Sequence, residues 1–131
     1  MTNIRTGGLL ISLGVASLVG LGACGGGDDG GGSSDSVPAD ALVVEALDIR
    51  FDQKEYSATA GQVPISYESK GQLVHTLLVY DESNTVVGET LRVAPGQTQV
   101  GTFDLPPGTY SLICDVPGHQ DAGMTATLTT S

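Results

Sequence analysis

The chain is predicted to be an all-β sandwich or barrel. Short apolar or alternating runs recur roughly every eight to twelve residues from residue 42 onward, and turn chemistry separates each from the next. Period two is plain in these runs, whereas no window of helical length places apolar residues at i, i+3, i+4 and i+7 as regularly. Size narrows the choice: residues 39–131 suffice for one small domain and are too few for two.

Residues 1–23 read as an export signal. Arg5 gives a positive start, and residues 9–21 form an uncharged apolar stretch interrupted by Gly. The 17 weakly apolar residues 7–23 fall short of the roughly 20 that a spanning helix needs, so a cleaved signal is expected in place of a permanent anchor. Leu21-Gly22-Ala23-Cys24 resembles the lipobox of bacterial lipoprotein precursors, in which cleavage precedes the Cys and the Cys carries lipid. An ordinary signal peptidase site is the plainer alternative, because Ala23 suits both. Either reading places the mature protein outside the cytoplasm, facing the periplasm or the outer surface. Acylation at Cys24 would hold it on a membrane without a spanning helix.

Residues 24–38 form the expected tether. The tract GGGDDGGGSSDSVP over 25–38 is too poor in apolar residues to bury anything, and a coil of that length has a root-mean-square span of about 20 Å. Neither the Lys-Ser/Thr of a P-loop nor EF-hand spacing accompanies its Gly and Asp clusters. Loss of Arg5 with the signal leaves four basic residues against 15 acidic ones, a formal net charge of −11. Such a surface repels nucleic acid and anionic lipid heads, and it either attracts a basic protein partner or simply keeps the domain soluble.

Strands are expected over residues 42–47, 49–51 together with 55–58, 62–69, 74–80, 86–93, 98–105, 109–114 and 125–130. Pro64 lacks an amide donor and predicts an edge strand or a bulge in its run. Ala60-Gly61, Lys70-Gly71, Pro95-Gly96 and Pro107-Gly108 supply turns, each with a Gly that accepts positive φ. A short helical turn within 81–90 stays open. Alternation puts Tyr110, Leu112 and Cys114 on one face, Met124, Ala126 and Leu128 on another core-directed row, and His75 in line with Leu77 and Val79.

Once the signal is removed, His75, Cys114, His119 and Met124 are the residues left that readily ligate soft or borderline transition metals; the other Cys and Met, Cys24 and Met1, belong to the processed N-terminus. Singly, each has a plain reading. Cys114 could be a packed core thiol, His75 a hydrogen-bonded core histidine, His119 an exposed turn residue and Met124 core filler. Together they form a constellation: two imidazoles, one thiolate and one thioether are the set of a blue copper centre, with the thioether as a weak, long axial ligand. Cys114 has no disulfide partner in the domain if Cys24 is lipidated or lies in the tether, and exported compartments oxidise exposed thiols. Burial, pairing between chains or a metal must therefore protect it. Zinc is the rival metal, with Asp115 and Asp121 as substitutes for the thioether that structural zinc avoids.

The stretch from Leu105 to Met124, with Cys-x₄-His-x₄-Met spacing, resembles the C-terminal copper motif of the cupredoxins, the plastocyanin and azurin family. The loop is most similar to those of rusticyanin, auracyanin and sulfocyanin. Over residues 41–80 the likeness is looser and rests on strand pattern and on His75 within Val74-His75-Thr76-Leu77. The resemblance implies a Greek-key β-sandwich of about eight strands with one copper ion per chain, alternating between Cu(I) and Cu(II), at an apolar end. It also implies roles: Cys114 as thiolate, His75 and His119 as equatorial imidazoles, Met124 as axial ligand and His119 as the solvent-side electron port. Many cupredoxins carry Asn after the first His, where its side chain ties the two ligand loops together. Thr76 stands there in this chain, so an altered tie around an intact site is expected.

The function expected is that of an exported, lipid-anchored, monomeric carrier of single electrons between protein redox partners. The alternative is copper storage or delivery, which favours Met- and His-rich tracts; the mature chain has one Met and two His. Enzymatic activity is not expected. No His remains for a second copper centre, and no other nucleophile–base pair is present.

Overall fold

Nine strands and no helix make up the described part of the chain, residues 36–131 of a computed structural model. The expectations for the signal over 1–23, for lipid on Cys24 and for the tether up to residue 35 lie outside the described residues. In chain order the strands are β1 (Leu42–Leu47), β2 (Arg50–Phe51), β3 (Glu55–Ala58), β4 (Gly61–Ser69), β5 (His75–Tyr80), β6 (Val86–Val93), β7 (Thr98–Leu105), β8 (Gly108–Ile113) and β9 (Thr125–Thr130).

They form two mixed sheets, one ordered β2-β1-β4-β7 and the other β3-β9-β8-β5-β6. β1 runs parallel to β4 and β3 parallel to β9, while the other pairs are antiparallel. After β6 the chain crosses to the opposite sheet for β7 and returns at β8 beside β5. That return makes the Greek key. Between the sheets lie Tyr67, Ile65, Phe103, Leu77, Leu91, Leu112 and Leu128, all fully buried. The buried Tyr67 hydroxyl donates to the Thr76 carbonyl at 3.0 Å, so a polar group in the core is satisfied and the two sheets are tied at one end.

Four local readings are sharpened. Residues 49–51 and 55–58, taken together from the sequence, belong to different sheets. The Asp52 carboxylate accepts from the Glu45 amide at 2.9 Å and from the Tyr56 hydroxyl at 2.6 Å, anchoring the turn between β2 and β3. Ile49 leaves the strand because its φ is 64°. Pro64 sits in β4, a strand with neighbours on both sides, but pairing with β1 begins only at Ile65. At Pro64 the strand therefore has one partner, and the missing amide is tolerated. No helical turn forms within 81–90: the Asp81 carboxylate accepts from the Ser83 and Thr85 amides and closes a hairpin between β5 and β6.

Alternation sets the directions of three side-chain rows as expected. Tyr110, Leu112 and Cys114 are all buried, as are Met124, Ala126 and Leu128, and His75, Leu77 and Val79 have no exposed surface. Three of these residues sit just at strand ends: His75 opens β5, Cys114 follows β8 and Met124 precedes β9. Parallel pairing brings the ends of β1 and β4 to the same pole, where the Lys70 amide donates to the Ala46 carbonyl at 2.9 Å.

Candidate metal centre

At that pole His75, Cys114 and His119 each offer one donor atom, all within 4.8 Å of one another. The His75 and His119 ring centroids are 5.0 Å apart, and His119 Nδ1 lies 3.6 Å from the Cys114 Sγ. His75 has 0 % exposure and His119 9 %, so the loop histidine is the one nearer solvent. Pro117, Gly118 and Ala122 of the same loop are exposed.

The loop between β8 and β9 is held by its own main chain. His119 donates its amide to the Val116 carbonyl at 2.9 Å, Ala122 to Gly118 at 3.1 Å and Gly123 to Gln120 at 2.9 Å. Gly118 and Gly123 take φ of 84° and 97°, which a side chain would resist. Met124 donates to the His119 carbonyl at 3.0 Å and accepts from the Cys114 amide at 3.2 Å, so the loop closes on itself with a fully buried Met124 joined through the main chain to Cys114 and His119. Lys54 braces the same corner: its ammonium donates to the carbonyls of Gly123 at 2.6 Å and Thr125 at 3.2 Å. Nothing in the sequence marks Lys54, which lies 69 residues from Gly123.

Thr76 provides the tie between the two ligand segments. Its amide points at the Cys114 Sγ from 3.4 Å, its hydroxyl donates to the Asp115 carboxylate at 2.6 Å, and it accepts from the Asp115 amide at 3.0 Å. The tie is expected of a residue at this position, while the partner carboxylate is particular to Asp115. Among the described residues neither Asp115 nor Asp121 joins the cluster of donor atoms. Asp115 is instead engaged with Thr76, which removes the carboxylate ligand that zinc would have favoured.

The donor set fits a metal. Both ring nitrogens of His75 are buried without a hydrogen-bond partner, a costly state that a bound metal would relieve at one of them. Burial first, and then the neighbouring His119 ring, holds His75 below the ordinary histidine range; the Asp48 carboxylate only partly offsets them. A neutral imidazole with an open lone pair is the form a metal takes up. The Cys114 thiol is buried and free of any disulfide.

The sequence matches the family described as copper binding proteins, plastocyanin/azurin family, over residues 39–131. The chain belongs to that family, and the group its site fits is one copper ion. Solved structures share the fold. Dithionite-reduced auracyanin from Roseiflexus castenholzii is 18 % identical over 71 % of this chain and 98 % of its own, with a TM-score of 0.63. Auracyanin A from Chloroflexus aurantiacus, described as a blue copper protein, is 24 % identical over 70 % and 98 %, with a TM-score of 0.59. An azurin from Methylomonas sp. strain J is 16 % identical over 71 % and 98 %, with a TM-score of 0.61. No curated protein matches the chain.

Proposed function

We propose that this chain is an exported blue copper protein, held to a membrane by lipid at Cys24, that carries single electrons between protein redox partners as a monomer. The observation that carries the electron-transfer reading is a set of donor atoms gathered within 4.8 Å on buried, mutually braced segments. Copper would supply the Cu(I)/Cu(II) couple. Cys114 would hold the ion through its thiolate, His75 and His119 through their imidazoles, and Met124 through a weak thioether bond. Fixed ligands favour transfer, because little has to move when the charge changes.

The chain's own residues do the rest. His75, Cys114 and Met124, with no exposed surface, exclude water from the site. His119 keeps a small exposed edge beside Pro117 and Gly118, the shortest route for an electron to a docked partner. This burial opposes handing the metal to another protein's ligands and so favours a carrier over storage or delivery. In this reading His75, Cys114 and His119 would all be engaged by the metal, which would leave their thiol and imidazoles no part as nucleophile and base.

The test is the visible spectrum of the purified domain with Cu(II). An intense thiolate-to-copper band that disappears on reduction and in Cys114→Ala supports the proposal. Colourless protein with one tightly held zinc would sink it. Slow copper release to a chelator alongside fast electron self-exchange separates carriage from storage, and radiolabelled fatty acid incorporated in wild type but not in Cys24→Ser tests the anchor.

A further inference from the structure

Asp48 follows β1, outside every motif the sequence displays, yet its Oδ1 lies 3.7 Å from the Nε2 of the fully buried His75. That oxygen also accepts from the Gln72 amide at 2.8 Å and the Leu73 amide at 3.3 Å, the two residues that lead into Val74 and His75. The approach is tight: a Cβ added at Gly71 would collide with the Asp48 carboxylate, so glycine is what lets the loop wrap around it. Ile49, the next residue, takes a φ of 64°, a region uncommon for a β-branched side chain. Backbone strain of this kind persists where the surroundings require it, and it clusters at functional sites.

The two nitrogens of an imidazole point in widely divergent directions. With Nε2 turned to Asp48, Nδ1 is the nitrogen left for a metal, as in His119, whose Nδ1 faces the Cys114 Sγ. At 3.7 Å the Asp48 contact is just beyond a hydrogen bond, and His75 Nε2 has no other partner.

We propose that Asp48 is a positioning residue of the copper site, its carboxylate holding His75 in the Nε2–H tautomer with Nδ1 toward the metal and favouring the more positive oxidation state of the ion. Residues that orient metal-bound histidines in this way change affinity by about 10- to 100-fold when replaced. The inference rests on the reading of His75 as a ligand. It adds a contact that the ligand set does not supply, between residues 27 positions apart in the chain.

Two substitutions separate the electrostatic role from a purely structural one. Asp48→Asn keeps an oxygen to accept from the Gln72 and Leu73 amides and removes the charge; Asp48→Ala removes both. Expected in Asp48→Asn are an unchanged apo-protein melting midpoint, a raised reduction potential and about 10-fold weaker Cu(II) affinity in a chelator competition. Asp48→Ala shows the same potential shift with a lowered midpoint. Ring ¹⁵N shifts of His75 in the apo and Cu(I) proteins should show a protonated Nε2. A protonated Nδ1, or an Asp48→Asn variant with wild-type potential and affinity, overturns the role of Asp48. If His75→Ala keeps the blue band, the ligand reading itself falls and takes this role with it. If His75→Ala loses the band while Asp48→Asn is silent, the role of Asp48 alone fails.

Discussion

The Thr76 hydroxyl donates to the Asp115 carboxylate across 2.6 Å, linking the start of β5 to the residue after Cys114. A hydroxyl has one proton, and giving it to Asp115 withholds it from the Cys114 Sγ, 3.5 Å away. The sulfur therefore depends on the Thr76 amide, 3.4 Å away, for its hydrogen bond. Thr76→Val deletes the hydroxyl bonds to both groups of Asp115 and keeps the amide in place. The apo protein should lose about 1–2 kcal/mol of stability, the scale of one or two net hydrogen bonds. Urea unfolding checks this as a lower midpoint at constant slope, with the blue band of the copper protein still present.

Lys54 acts on the other side of the loop. Its donation to the Gly123 and Thr125 carbonyls brackets Met124, and Lys54→Met keeps the aliphatic stem while removing the donor. Because the contact is exposed, the loss should stay near or below about 1 kcal/mol. A local destabilisation of that size corresponds to about fivefold faster hydrogen exchange, read at the Gly123 and Met124 amides, with the β8 and β9 amides unchanged.

Asp52 ties stability to pH. Burial raises its carboxyl, but the hydrogen bonds from the Tyr56 hydroxyl, the Glu45 amide and Gln53 together outweigh it and hold the group below the ordinary carboxylate range. The folded state thus binds this proton less readily than the unfolded chain does. Its contribution is fully present above the unfolded value and is lost as pH falls through the folded one. Asp52→Asn should be less stable than wild type at pH 7, and the gap should narrow as pH drops below about 4. Paired melting curves at pH 7 and pH 3 decide it; a constant gap would refute the linkage.

Copper itself should stabilise the fold. A ligand that binds only the folded state at 100 times its dissociation constant adds about 2.7 kcal/mol. Calorimetry should show a higher midpoint with Cu(II), reversed by a chelator. In Cys114→Ala the gain should largely vanish, since the thiolate is gone.

Much of the site was legible early because ligand chemistry and strand alternation are both local. The composition left four candidate ligands, the period-two pattern aimed His75, Cys114 and Met124 inward, and the short loop after β8 kept Cys114, His119 and Met124 together. What those residues are braced by was not legible. Asp48, Lys54 and Asp115 look like ordinary surface charges in the sequence, and each gains its partner only when distant segments are brought to one pole.

The sequence by itself determined the fold class, the inward direction of the rows that hold His75, Cys114 and Met124, and the residue types that suit copper, since these follow from spacing along one strand or one loop. Tertiary structure alone decided that 49–51 and 55–58 serve different sheets, that Pro64 stands where β4 still lacks its β1 neighbour, and that the Thr76 hydroxyl serves Asp115. The physical reason is that a hydrogen bond between residues 24 to 71 positions apart, as at Asp48, Thr76 and Lys54, depends on how two sheets stack and where their strands end. Nothing in a run of neighbouring residues encodes that geometry.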